Sequence, residues 1–141
     1  MVYEYLDHSA DIGIRVTSDS IENVFSEAAR ALFNIMYEAR AVSPFQSYEL
    51  RIHSTSIEFL IVEFLNEIIS LIDRKEVFFS CCDNVIFLDS PERKTLSCVL
   101  KGEVQNLDKH EVKTEVKAAT YSGLFFRKEN DKFIFQCLLD I

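Results

Sequence analysis

Between Ile57 and Ile72 the chain sets Ile57, Leu60, Ile61, Phe64, Leu65, Ile68, Leu71 and Ile72 on one continuous stripe. Apolar residues recurring three and four apart define one face of an α-helix. Phe59, Val62 and Ile69 add apolar side chains on its other faces. Such a helix is expected to be buried on more than one side. Glu63, Asn66 and Glu67 interrupt the run, so it is too broken to span a membrane. Thr55 followed by Glu58 has the pattern of a capping box and places the start of the helix.

A second helix is predicted from Ile21, where Val24, Phe25, Ala28, Leu32 and Ile35 keep helical spacing and Asp19 with Glu22 suggests another capping box. Most of the remaining chain alternates with period two. Ile12, Ile14 and Val16 share a face, as do Tyr48, Leu50 and Ile52, then Leu96, Cys98 and Leu100, and finally Phe133, Phe135, Cys137 and Leu139. Val85–Leu88 is a short apolar run closed by Asp89-Ser90-Pro91. Strands interleaved with two helices predict an α+β fold: a mostly antiparallel, mixed sheet packed with two main helices. Strand order stays open.

The length of 141 residues suits a single domain spanning 1–141. With 48% apolar residues and twelve phenylalanines there is material for one core, and three glycines and two prolines leave little for linkers. No internal repeat is present. A formal charge of −8 disfavours direct nucleic-acid binding, and no Lys/Arg cluster offsets it. A cation or a basic protein surface is the better match. The first residues, Met1-Val2-Tyr3-Glu4, lack the features of a secretory signal. Cys81, Cys82, Cys98 and Cys137 show no CxxC spacing and are expected as buried thiols in a reducing, cytoplasmic setting.

Chemistry concentrates at the two ends. Asp7-His8-Ser9-Ala10-Asp11 precedes the first alternating strand, and the sequence finishes on Asp140-Ile141. A penultimate aspartate lies beside the α-carboxylate of Ile141. If the strands after Asp11 and before Asp140 are antiparallel neighbours, Asp11 joins them. Three close carboxylates repel one another unless a proton or cation lies between them. Ca²⁺, which takes ~6–8 oxygen ligands, suits such a corner, with Mg²⁺ or Mn²⁺ as alternatives. The competing reading has Asp11 binding local backbone amides at the strand entry and Asp140 solvated. No Ser/His/Asp or Cys/His pattern suggests covalent catalysis, and no Gly-rich loop suggests a phosphate cradle.

Several segments resemble the archease family. His8-Ser9-Ala10-Asp11 is similar to its His-Thr-Ala-Asp opening, and Ala28-Ala29-Arg30-Ala31-Leu32-Phe33 to its A-x-A-L-F stretch. Phe64-Leu65-Asn66-Glu67-Ile68-Ile69 resembles W-L-N-E-L-L, and Lys117-Ala118-Ala119-Thr120-Tyr121 matches K-A-x-T-Y. The chain also ends in the family's aspartate plus aliphatic residue. The departures are Ser9 for threonine, Phe64 for tryptophan and Ser122 for a frequent histidine, none of them at an implied metal ligand. The resemblance implies an activator of the RtcB-type RNA ligase of tRNA splicing. It would promote GMP loading onto the ligase and multiple turnover, without ligating RNA itself. It also implies a divalent cation held by Asp11, Asp140 and the carboxylate of Ile141.

Two further residues are candidate partner contacts. His8 can meet a metal, a proton or the ligase, or simply hydrogen-bond within its turn. Lys117 can face the acidic cluster or an anion on the partner, or remain a solvated strand lysine. Two other functions stay open: a metal-dependent, phosphate-processing enzyme using Asp7, His8 and Asp11, and a chaperone-like adaptor for hydrophobic segments.

Overall fold

The computed structural model describes residues 2–7 and 11–141, with Asp7 described by its backbone alone. The chain runs β1 (Val2–Asp7), β2 (Asp11–Ser18), α1 (Ile21–Met36), a 3₁₀ turn at Ala39–Ala41, β3 (Gln46–Ser54), α2 (Ile57–Lys75) and β4 (Val77–Asp89). It continues with β5 (Lys94–Val104), β6 (Ala118–Ala119), β7 (Phe125–Glu129) and β8 (Lys132–Asp140). The α+β class holds, with both expected helices present and every strand pairing antiparallel.

The strands divide between two sheets. One has the order β1-β2-β8-β6, with β7 also on β8, and the other is β3-β5-β4. Both helices touch strands of both sheets. That placement explains the apolar faces of α2: Val62 and Phe64 are fully buried, and Phe59 meets Tyr121 edge-on at the rim. Buried residues of both helices and both sheets form one cluster, with Phe25, Phe33, Phe64, Phe79 and Phe135 among its largest side chains. Among the described residues no helix is long and apolar enough to cross a membrane.

Both helix starts differ from the capping boxes read in the sequence. Ser20, not Asp19, caps α1 by accepting from the Asn23 N–H, and Ser56, not Thr55, caps α2 by accepting from Phe59 N–H. Each serine has extended backbone angles, as an N-cap requires, and its short hydroxyl reaches the third amide of the helix. Asp19 pairs instead with Lys132. All four cysteines are free, with Cys82, Cys98 and Cys137 buried and Cys81 half-buried.

The edge of β4 is closed by a side chain. Tyr37, fully buried at the end of α1, donates its hydroxyl to Phe79 O at 2.7 Å and accepts from Phe79 N at 2.8 Å. Burial pushes its phenol well above the usual range. Tyr37→Phe leaves two buried backbone groups unpaired, and each such group costs about 1–3 kcal/mol. Urea unfolding should therefore show a loss of about 3 kcal/mol, far above the ordinary effect of a conservative substitution.

The long connection from β5 to β6 is anchored by Glu103. Its carboxylate accepts from Lys109 Nζ at 2.7 Å, Ser43 N at 2.8 Å and His110 Nε2 at 2.9 Å. Asn106 N donates to His110 Nδ1 at 3.0 Å, which leaves the proton on Nε2. Lys109, then the Ser43 amide and His110, hold the Glu103 carboxyl at about 2, below its ordinary 4.5. A carboxyl depressed by folding stabilises the native state above its unfolded value, and loses that contribution as pH falls toward the folded value. Wild-type stability should fall between about pH 4.5 and 2. Glu103→Gln should flatten that limb in acid titrations followed by circular dichroism.

Candidate metal centre

The corner begins with strand pairing. In the β2–β8 ladder Asp11 lies directly opposite Asp140, followed by Ile12 opposite Leu139 and Gly13 opposite Leu138. Directly opposed residues of an antiparallel pair share a face, with Cβ atoms about 4.5–5.5 Å apart. Ile14, Val16, Phe135, Cys137 and Leu139 are buried, so by alternation Asp11 and Asp140 occupy the opposite, outer face. Both are half-buried.

Their surroundings on that face follow the ladder. Next along it, Gly13 permits close packing: a Cβ there would lie 2.8 Å from Leu6 Cβ and 3.2 Å from Leu138 Cδ2. Beyond Gly13, Arg15 donates through Nε and Nη2 to Gln136 Oε1 at 3.0 and 2.6 Å, and lies 3.6 Å from Glu4. The neighbouring guanidinium is thus engaged two residues away from Gly13. Among the described residues neither Asp11 nor Asp140 takes part in an ion pair.

The other side of β8 is held by the Lys117–Tyr121 segment. Ala118 pairs with Asp140 and Ala119 with Leu139, while Lys117 N donates to Asp140 O at 2.8 Å and Thr120 N to Leu138 O at 2.9 Å. Asn66 on α2 completes the clamp. Its Nδ2 donates to Ala119 O at 3.0 Å, and its Oδ1 accepts from Ala119 N at 2.7 Å. This asparagine thereby ties α2 to the strand that carries Asp140. In the sequence Asn66 stands as a polar break in the apolar run and as part of a motif, and its role depends on a partner 53 residues away.

Asp11 and Asp140 are thus brought together, and Ile141 follows directly, 38% exposed. Lys117 joins them through its main chain. Its residue lines a cavity of about 620 Å³ with Met36, Asn66, Ile69, Asp73 and Glu115, on the α2 side. His8 and the Asp7 side chain lie outside the described residues. Among the described residues no three His, Cys, Asp or Glu side chains converge as a metal cluster. The corner offers a different set: two opposed aspartates, with Ile141 directly after the second. Oxygen donors of this kind fit a hard cation, and two carboxylates at cross-strand distance repel one another without one.

The model of the archease protein family matches residues 3–141. The chain is 37% identical to the archease-like protein of Drosophila melanogaster, covering 88% of this chain and 79% of that one. It is 33% identical to the archease of Thermococcus gammatolerans over 92% and 90% of the respective chains. The solution structure of protein 1598 from Methanobacterium thermoautotrophicum superposes with a TM-score of 0.85 at 25% identity, covering 99% of this chain and 98% of that one. A Thermotoga maritima crystal structure, described as an archease and possible chaperone, shares the fold with a TM-score of 0.65 at 18% identity, covering 100% and 98%. On this match across nearly its whole length, the chain belongs to the archease family.

Proposed function

We propose that this protein is a non-catalytic, metal-binding activator of an RtcB-type RNA ligase, acting in the cytoplasm on tRNA splicing. The observation that supports the reading is the opposition of Asp11 and Asp140 at one end of the β2–β8 ladder. Asp11, Asp140 and the carboxylate of Ile141 would hold one divalent cation, Ca²⁺ first and Mg²⁺ or Mn²⁺ as alternatives. Bound there, the ion would neutralise the corner and bridge to oxygen ligands of a partner. Three protein groups leave part of a shell of ~6–8 ligands open for water or that partner.

The chain's own residues do the positioning. The β2–β8 ladder sets Asp11 opposite Asp140, and Asn66, through Ala119, fixes the strand beside Asp140. Lys117 is a contact for an anionic group of the ligase, and His8 a further candidate contact. A net charge of −8 keeps the protein from competing with the ligase for RNA.

The test is multiple-turnover ligation with and without this protein. Wild type should stimulate turnover and guanylylation, while folded Asp11→Ala and Asp140→Ala variants should lose most of the stimulation. Stimulation at the wild-type level by both variants would remove the corner from the mechanism. Product formation from a phosphorylated small molecule by the isolated protein would favour an enzyme instead.

A further inference from the structure

A sheet edge exposes unpaired N–H and C=O groups, and proteins commonly close it. Two edges here are closed by side chains standing in for a missing strand. Tyr37 satisfies both backbone groups of Phe79 on β4, and Gln105 Nε2 donates to Val77 O at 3.1 Å beside it. Asn66 does the same for Ala119 on β6.

The outer edge of β3 has no such closure. β3 is the terminal strand of its sheet and pairs with β5 over nine residues, Gln46 to Ser54, without a register shift. Among the described residues its backbone groups have no hydrogen-bond partner beyond β5. It contains neither proline nor lysine, two common blocks to edge pairing.

A groove of about 460 Å³ runs beside this edge, between Arg51, Ile52 and His53 of β3 and Glu63, Asn66 and Glu67 of α2. Its helix wall is acidic. Glu63 is exposed and unpaired among the described residues, and Glu67 meets Arg74 at 3.0 Å on its far side along the helix.

We propose that the β3 edge receives an extended segment of a partner protein, which adds as a fourth strand to the β3-β5-β4 sheet and turns Lys or Arg at alternate positions toward Glu63 and Glu67. Main-chain hydrogen bonds to β3 supply the affinity, and the alternating basic side chains supply the selectivity. The site is lined by residues other than Asp11, Asp140 and Ile141, and it does not depend on metal. Asn66 lines this groove and also holds Ala119, so a docked strand sits against the residue that braces the corner.

The probe is a nine-residue peptide of alternating lysine and valine, matched to the length of β3. Binding is measured by titration, and its position by amide hydrogen exchange. The expected result is new protection confined to residues 46–54, with affinity reduced about tenfold in Glu63→Lys. The same peptide N-methylated throughout should not bind, because it keeps its charge and loses its donors. Equal binding of the methylated peptide, unchanged affinity in Glu63→Lys, protection outside β3, or no binding would each overturn the proposal. Protection of β3 through self-association of the free protein would assign the edge to a second copy and overturn it as well.

Discussion

Gly102→Ala is expected to destabilise the protein by about 3 kcal/mol or more, at the upper end of what overpacking costs. A Cβ at this position would lie 1.9 Å from Phe78 O and 2.8 Å from both Phe78 C and Phe79 Cα. All three are backbone atoms, so no rotamer change relieves the clash. The approach is made by β4, whose register shifts between Phe79 and Cys81 opposite Gly102 and Lys101. Tyr37 holds Phe79 from the other side through both of its backbone groups, so β4 has little freedom to retreat. Gly13→Ala is the natural comparison. There the contacts are longer, 2.8 Å to Leu6 Cβ, 3.2 Å to Leu138 Cδ2 and 3.3 Å to Leu6 O, and the expected cost is smaller, about 1–2 kcal/mol. Urea midpoints for the two variants should rank in that order.

Asp11→Asn should change stability in opposite directions with and without metal. Like charges directly opposite across two strands are destabilising, by up to about 1 kcal/mol. Removing one carboxylate should therefore raise the melting temperature of metal-free protein slightly. With Ca²⁺ in excess the sign reverses. A ligand at about 100 times its dissociation constant stabilises the native state by about 2.7 kcal/mol, and the variant forfeits most of that. Asp140→Asn should behave alike, because each aspartate is the other's cross-strand partner. A purely structural aspartate, binding only local amides, would lower stability in both conditions.

Local chemistry made much of this architecture legible. The stripe from Ile57 to Ile72 announced α2, and the alternations around Ile14, Leu50, Cys98 and Phe135 announced β2, β3, β5 and β8, because periodicity is a property of neighbours in sequence. β1 and β7 escaped, being short and exposed on much of their surface. The division into two sheets escaped too, since it is set by which strands meet across the helices. The opposition of Asp11 and Asp140 could be read only conditionally: both border strands, and an antiparallel pairing puts the start of one beside the end of the other. The closures by Tyr37 and Asn66 left no trace in spacing. A tyrosine just past α1 and an asparagine on α2 take those roles only when folding presents them with an open strand edge 42 or 53 residues away.

Calorimetric titration of Ca²⁺ into the wild-type protein, Asp11→Asn and Asp140→Asn addresses the carboxylate corner without recourse to any partner. One ion per wild-type chain, with affinity weakened in each variant by at least the roughly 10- to 100-fold that loss of an outer-shell group costs, is the result that a cation held between the two strands predicts. Binding of equal strength in all three proteins, or none in the wild type, would contradict it.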